Sequence, residues 1–384
     1  MDRDIEARLR GTTKHVLLLG PRQVGKSTLC RSLGPKYILN LADEGAFLSY
    51  SKDPGRLRRE LAVLDGPSLV LIDEIQRVPP LLNMVQALLD EGCPHRFLLT
   101  GSSARKLKRG GANLLPGRIL LEYMDPLSFW ELGRSLDLDR ALQLGTLPGI
   151  YLDSKEGADV LDGYAATYLR EEIQAEALSR NLGAYARFLD VAAEASGRWI
   201  NYSKVASDSE LPKETVRRFY SILEDTLIAF RLPAYRPKRS HRRVSQRDRF
   251  LFFDTGVRNA LLGLHRHPLS PSERGFLFEH WIILQCLTLI RSRHKPWKLS
   301  SYRTDAGAEV DLVIDQGKKL LAVECKSGSR VHETDLRGLR SFEEVADKPV
   351  EKRIVYRGSS RQKFSKGEVA VPYEDFLESL AREG

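Results

Sequence analysis

The stretch that most limits what this chain can become is V-L-L-L-G-P-R-Q-V-G-K-S-T at 16–28. Val16 to Leu19 is an unbroken apolar run of the kind that forms a buried parallel strand, and Gly20, Gly25, Lys26 and Ser27 then complete the spacing G-x-x-x-x-G-K-S. Glycine at both ends lets Gly20, Pro21, Arg22, Gln23, Val24 and Gly25 curl into a loop whose N–H groups, backed by a helix N-terminus, surround a phosphate. In such a loop Lys26 reaches the β- and γ-phosphates of ATP, the Ser27 hydroxyl coordinates Mg2+, and Thr28 extends the cradle along the same helical turn. A glycine turn that binds nothing is the alternative, but strand, loop and helix occur here in the order a nucleotide site requires.

At 384 residues the chain is too long for one core and divides into two or three domains. Its 42% hydrophobic and 29% charged content is that of an ordinary globular protein, and a net charge of +9 permits an anionic partner without proving one. The N-terminus, M-D-R-D-I-E-A-R-L-R, is too charged for a secretory signal, and no apolar run reaches membrane-spanning length. A cytoplasmic protein with no membrane partner is therefore expected. Cys30, Cys93, Cys286 and Cys325 form no C-x-x-C pair and read as inert thiols.

A second apolar strand, S-L-V-L-I-D-E at 68–74, ends in two acids. In P-loop ATPases an acid at that place holds magnesium through water and a second one polarises the attacking water, which gives Asp73 and Glu74 their expected roles. A third, R-F-L-L-T-G-S-S at 96–103, ends in hydroxyls, and Thr100 or Ser102 is the candidate γ-phosphate sensor; a helix cap is the competing reading. Arg118 is the candidate arginine finger, acting on its own subunit or a neighbour, with Arg77 and Arg105 as competitors.

Together G-P-R-Q-V-G-K-S-T, L-V-L-I-D-E-I-Q, L-L-T-G-S-S and, at 117–131, G-R and P-L-S-F-W-E resemble a family of prokaryotic AAA+ ATPases whose C-terminal half is a winged helix followed by a nuclease-like region. The resemblance implies an α/β fold: a P-loop AAA+ core with a parallel sheet at 1–122, a helical linker or lid at 123–182, a winged-helix domain at 183–268 and an α/β nuclease-like domain at 269–384. It also implies assembly into a homo-oligomeric ring, a hexamer being favoured. Y-L-R-E-E-I at 168–173 looks like the family's junction helix. A lid with an obvious second sensor arginine is missing from the pattern.

Three helical segments at 184–196, 202–207 and 213–226 suit a helix-turn-helix whose last helix carries Lys213, Thr215, Arg217 and Arg218 toward DNA. Strands at 227–235 and 250–256 flank R-P-K-R-S-H-R-R-V-S-Q-R-D-R, a loop with seven Lys or Arg against one acid. Lys238, Arg239, Arg242 and Arg243 of this wing are expected to neutralise phosphates of duplex or branched DNA; a solvated basic face, or a patch for acidic protein, is the alternative.

Further on, A-E-V-D-L-V-I at 308–314 and L-L-A-V-E-C-K at 320–326 read as two strands. A tight turn centred on Gly317 and Lys318 sets Asp311 opposite Glu324 and puts Lys326 on the same face. Glu279, in the apolar helix F-L-F-E-H-W-I-I-L-Q-C-L, is an acid that needs a reason to be there. The set resembles the PD-(D/E)xK nucleases, which implies Mg2+ or Mn2+ held by Glu279, Asp311 and Glu324, with Lys326 stabilising charge or orienting the nucleophile. A salt bridge on a surface strand is the simpler reading, and Glu309 is either a third ligand or merely exposed. The expected function is an ATP-hydrolysing motor on duplex or branched DNA such as Holliday junctions; a nucleotide-gated endonuclease and a protein-binding regulatory switch are the alternatives.

Overall fold

The apolar runs of the N-terminal third assemble into a five-stranded parallel sheet. A computed structural model describes residues 2–103, 117–153, 155–168, 182–237 and 244–383. The strands are β1 (His15–Leu19), β2 (Tyr37–Asn40), β3 (Leu69–Asp73), β4 (Arg96–Gly101) and β5 (Ile119–Tyr123), in the order β2-β3-β4-β1-β5. β1, β3 and β4 are buried along all but their first residue, which is why they read as continuous apolar runs rather than alternating ones. Insertion of β4 between β1 and β3 opens a crevice at their carboxyl ends, where Gly20, Asp73 and Ser102 sit. Helix α1 (Lys26–Ser32) starts from Gly25, whose φ of 95° only glycine adopts readily, and stops before Gly34 and Pro35.

Helices α2 (Leu182–Ala195), α3 (Tyr202–Asp208) and α4 (Lys213–Asp225) then pack around aromatic side chains. The Phe219 ring lies 4.7 Å from Tyr185 and 5.2 Å from Phe188, and Tyr220 lies 4.6 Å from Phe250. A two-stranded antiparallel ribbon follows, β6 (Ala229–Leu232) paired with β7 (Arg249–Phe252). The returning strand is shorter than the sequence suggests. Asp254 caps helix α5 (Thr255–Leu261) by accepting from the Val257 N–H, so 253–256 turn into a helix instead of prolonging the ribbon.

The C-terminal part is a six-stranded mixed sheet, order β12-β13-β11-β10-β9-β8, covered on one side by the 22-residue helix α6 (Pro271–Ser292). Its strands are β8 (Lys298–Arg303), β9 (Glu309–Asp315), β10 (Leu320–Lys326), β11 (Val350–Tyr356), β12 (Gln362–Lys363) and β13 (Val369–Pro372). Leu320 faces Asp315 and Val323 faces Leu312, the register expected from a turn centred on Gly317 and Lys318. The chain leaving the ribbon docks on the exposed edge of β8: Tyr235 N–H donates to Ser301 O, and Ser245 N–H to Arg303 O. That edge is thereby capped.

Helix α6 buries one histidine. His280 Nε2 donates to the Phe252 carbonyl at 2.7 Å, and burial, with Arg258 and Arg249 nearby, pushes its pKa down to about 3. Below pH 6.5 the unfolded chain takes up a proton at His280 and the folded chain does not, so this group lowers stability progressively as pH falls from about 6.5 toward 3. We expect the stability of the wild type to fall relative to His280→Leu by up to about 1.4 kcal/mol per pH unit across that window, read from urea unfolding at pH 7, 6, 5 and 4. Parallel pH profiles for the two proteins would remove His280 from the account.

Candidate functional site

The loop after β1 is held in shape by its own glycines and by the N-terminus of the chain. A Cβ on Gly20 would come 2.3 Å from the Met124 carbonyl, and Gln23 and Gly25 both take positive φ, which points successive N–H groups inward. Arg3 braces the outside: its guanidinium donates to Val24 O at 2.6 Å and Asp125 O at 2.7 Å and pairs with Glu131 at 2.8 Å. Lys26 is buried, with Nζ donating to Gly20 O at 2.8 Å and Pro21 O at 2.7 Å, so the ammonium lies against the two residues that open the loop. Pro21, Arg22 and Val24 complete the loop, and Thr28 follows on the first turn of α1.

The acids after β3 are drawn to this loop. The Ser27 hydroxyl donates to Asp73 Oδ1 at 2.9 Å, Thr100 donates to the same oxygen, and the Glu74 N–H donates to Thr100 Oγ1 at 3.1 Å. Glu74 itself sits at φ 59°, a left-handed conformation that bulky residues adopt only when their surroundings impose it. Its carboxylate accepts from the Gln76 amide, which also donates to Ser102 Oγ at 2.9 Å, and Ser102 lies 3.4 Å from Glu74. Thr100 and Ser102 are thus both tied to the acid pair. A serine hydroxyl and an aspartate oxygen in direct contact are hard donors suited to magnesium, so Ser27 and Asp73 fit the ion that the motif implies.

Gln76 closes the stretch L-V-L-I-D-E-I-Q without a role assigned to it there, and Arg3 lies outside the motifs. Gln76 is a buried polar residue among Ile75, Val78 and Leu81, and that contrast is the signal that marks it. We expect Gln76→Leu to lower kcat about tenfold while KM moves less than twofold, because the amide orients Glu74 rather than binding nucleotide; steady-state rates test this.

The competing arginines separate cleanly. Arg118 precedes β5 at the end where Ile119 pairs with His15, whereas the phosphate loop follows Leu19 beside Tyr123, roughly 13 Å further along the strand. Its guanidinium pairs with Asp90. Arg118 thus lies at the end of the sheet away from the phosphate loop of its own chain. Arg77 is a brace, donating to Leu41 O and Ala42 O and lying over the Phe47 ring. Arg105 falls outside the described residues.

An AAA domain matches residues 12–133, and two domains of unknown function, DUF8612 and DUF4143, match 135–267 and 274–376. The uncharacterized proteins Rv2008c of Mycobacterium tuberculosis and Mb2031c of Mycobacterium bovis are each 30% identical to this chain over 391 residues, covering 98% of it and 84% of their own length. The chain belongs to their family. Among solved structures, a signal-transduction ATPase with a tetratricopeptide repeat sensor, PH0952 from Pyrococcus horikoshii, gives a TM-score of 0.25 at 13% identity, covering 76% of this chain and about half, 47%, of that one. The match over residues 12–133 makes the N-terminal third an AAA-type ATPase domain, and nucleotide with magnesium is what such a domain uses. No helix among the described residues is long and apolar enough to cross a membrane.

Beyond the AAA domain, the residues expected at a DNA surface are divided. Lys213, Arg217 and Arg218 are exposed on α4, with Arg217 lying over the Tyr202 ring and 3.9 Å from Glu214. Lys238, Arg239, Arg242 and Arg243 lie outside the described residues, as does most of the segment 168–173.

The C-terminal acids meet only in part. Asp311 and Glu324 come together across β9 and β10, where Asp311 Oδ2 accepts from the Cys325 N–H at 2.8 Å. Lys326 donates to Glu324 Oε1 at 2.9 Å. Burial, then Glu279 and Glu324, push the Asp311 carboxyl well above its usual range. Burial pushes Glu324 up to about 7 against the pull of Lys326. Glu279 is the exception. It lies near enough to raise both Asp311 and Glu324, but its carboxylate is paired with Arg249, and among the described residues no three His, Cys, Asp or Glu side chains form a metal-holding group. The expected three-carboxylate metal site is not assembled. Glu309 is exposed, 3.3 Å from Trp199 Nε1 and 3.6 Å from Arg303. In sequence Arg249 closes the charge run of the basic loop, but it also opens the apolar stretch F-L-F-F, and in the fold its side chain is buried with that strand.

Proposed function

We propose that this chain is a magnesium-dependent ATP hydrolase that works as a ring of identical copies, a hexamer being favoured, on duplex or branched DNA. The observation that carries the catalytic half is the contact of Ser27 and Thr100 with Asp73, next to a Glu74 whose carboxylate is oriented by Gln76 and Ser102. Lys26 and the loop N–H groups bind the β- and γ-phosphates. Ser27 and Asp73 would hold magnesium, which neutralises charge developing on the transferred phosphoryl group. Glu74 orients and polarises the attacking water, and Thr100 keeps both acids in register. Arg118, at the end of β5 away from the phosphate loop of its own copy, would serve the nucleotide of a neighbouring copy in the ring.

Support for DNA as the partner comes from α4, where Lys213, Arg217 and Arg218 lie exposed on the third helix of a three-helix unit with an adjoining ribbon and basic loop. A mechanical link joins this unit to the nucleotide loop. Arg3 ties Val24 O to Asp125, the Asp125 carboxylate accepts from Arg291 at 2.6 Å, and Arg291 lies on α6, which holds the ribbon through Glu279 and His280.

Phosphate release measured on linear duplex, forked and four-way DNA tests the proposal. We expect DNA to raise turnover, the effect to fall steeply as salt rises, and the triple change Lys213→Ala, Arg217→Ala, Arg218→Ala to raise the DNA concentration for half-stimulation about tenfold or more. A rate indifferent to all three DNAs at low salt removes DNA from the function and leaves the ATPase standing.

A further inference from the structure

An arginine buried between the ribbon and the C-terminal sheet lies outside the nucleotide site, and its surroundings are those of a bound cation. Arg249, the first residue of β7, sends its side chain across the junction and is 4% exposed. All three guanidinium nitrogens are used: Nε donates to Gly197 O at 2.5 Å, Nη1 to the backbone carbonyl of Asp311 at 3.0 Å, and Nη2 to Glu279 Oε1. A carboxylate from α6 and a carbonyl from β9 are hard oxygen ligands, the kind a divalent metal takes. They come from the two elements that carry the first two acids of the nuclease-like set.

The rest of that set is left incomplete by this arrangement. Asp311 and Glu324 remain close across the strands, and Glu324 Oε2 is buried with no hydrogen-bond partner among the described residues. Lys326 takes only Oε1. A third carboxylate would complete a trio around that oxygen; Glu279 and Glu309 both lie near it, and the less exposed of the two, Glu279, is held by Arg249. Beside these residues lies a cavity of about 310 Å³, lined among others by Trp199, Arg249, Phe276, Glu279 and Asp311.

We propose that Arg249 is the built-in cation of this acidic site, delivered from the ribbon, and that the site takes no divalent metal while Arg249 is docked. The positive charge that a metal would bring to the three acids is supplied by Arg249 and Lys326 together, so the C-terminal fold is stable without an ion. Phosphodiester cleavage at Asp311, Glu324 and Lys326 is not expected of the resting protein. Removing the guanidinium while keeping an apolar stem frees Glu279 to turn toward Asp311 and Glu324 and converts the position into a metal site.

Binding of Mn2+ to the full chain without nucleotide, followed by the electron paramagnetic resonance signal of the free ion, tests this. The difference between each protein and its Asp311→Asn counterpart isolates the acidic site from any metal held elsewhere. Wild type and Asp311→Asn should bind the same number of ions. Arg249→Met should gain one further ion, bound at least tenfold more tightly than wild type manages there, and the gain should vanish in Arg249→Met with Asp311→Asn. An ion in the wild type that Asp311→Asn loses overturns the proposal, as does a folded Arg249→Met that gains none. Should Arg249→Met fail to fold, Arg249→Gln, which keeps part of the hydrogen bonding, takes its place under the same two outcomes.

Discussion

Lys26→Ala is expected to abolish ATP hydrolysis, with kcat/KM falling by about a thousandfold or more. The expectation rests on where the ammonium sits and on what replaces it. In the folded chain Nζ is buried and held by the carbonyls of Gly20 and Pro21, the two residues that open the phosphate loop, so a short movement hands it to a phosphate oxygen. Alanine removes the only full positive charge that the loop itself contributes apart from Arg22, in a site where charge stabilisation is worth about 3–4 kcal/mol per donor. The loop fold should survive, since its shape is set by Gly20, Gly25 and the Arg3 brace rather than by the lysine. Nucleotide affinity and turnover should therefore fall together while the melting curve stays in place. Turnover within threefold of wild type would mean that hydrolysis happens elsewhere.

Glu74→Gln should separate binding from chemistry. Glutamine fills the same space and can keep the contacts to Gln76 and Ser102, but it cannot accept a proton from water, a loss of about a hundred- to ten-thousandfold in kcat. ATP affinity should change little, because Lys26, Ser27 and Asp73 are untouched. The outcome to look for is a protein that retains ATP through gel filtration and releases almost no phosphate. If Glu74→Gln turns over normally, water activation belongs to another group.

Much of the AAA domain was legible because its signals are local. The G-x-x-x-x-G-K-S spacing, an apolar strand ending in Asp73 and Glu74, and hydroxyls after β4 each declare a role within a few residues, and the parallel sheet brings them together. The register between β9 and β10 was equally legible, since a four-residue turn and a period of two leave one choice. What escaped depends on contacts between residues far apart in the chain. Arg118 stayed open between its own subunit and a neighbour because sequence distance does not say at which end of a parallel strand a residue falls. Arg249 was counted with its basic neighbours, and only the docking of the ribbon on β8 and α6 shows that it turns inward to Glu279, 30 residues later. Arg3 holds a loop carbonyl 21 residues away, through a side chain with no motif around it.

The account stands on one pocket formed by Lys26, Ser27, Asp73 and Glu74. Titration calorimetry of the purified chain with ATP and magnesium probes it most directly: we predict one nucleotide bound per chain, with heat that disappears in Lys26→Ala and persists in Glu74→Gln. Absence of any binding heat in the wild type, under conditions where the protein is folded, would contradict it.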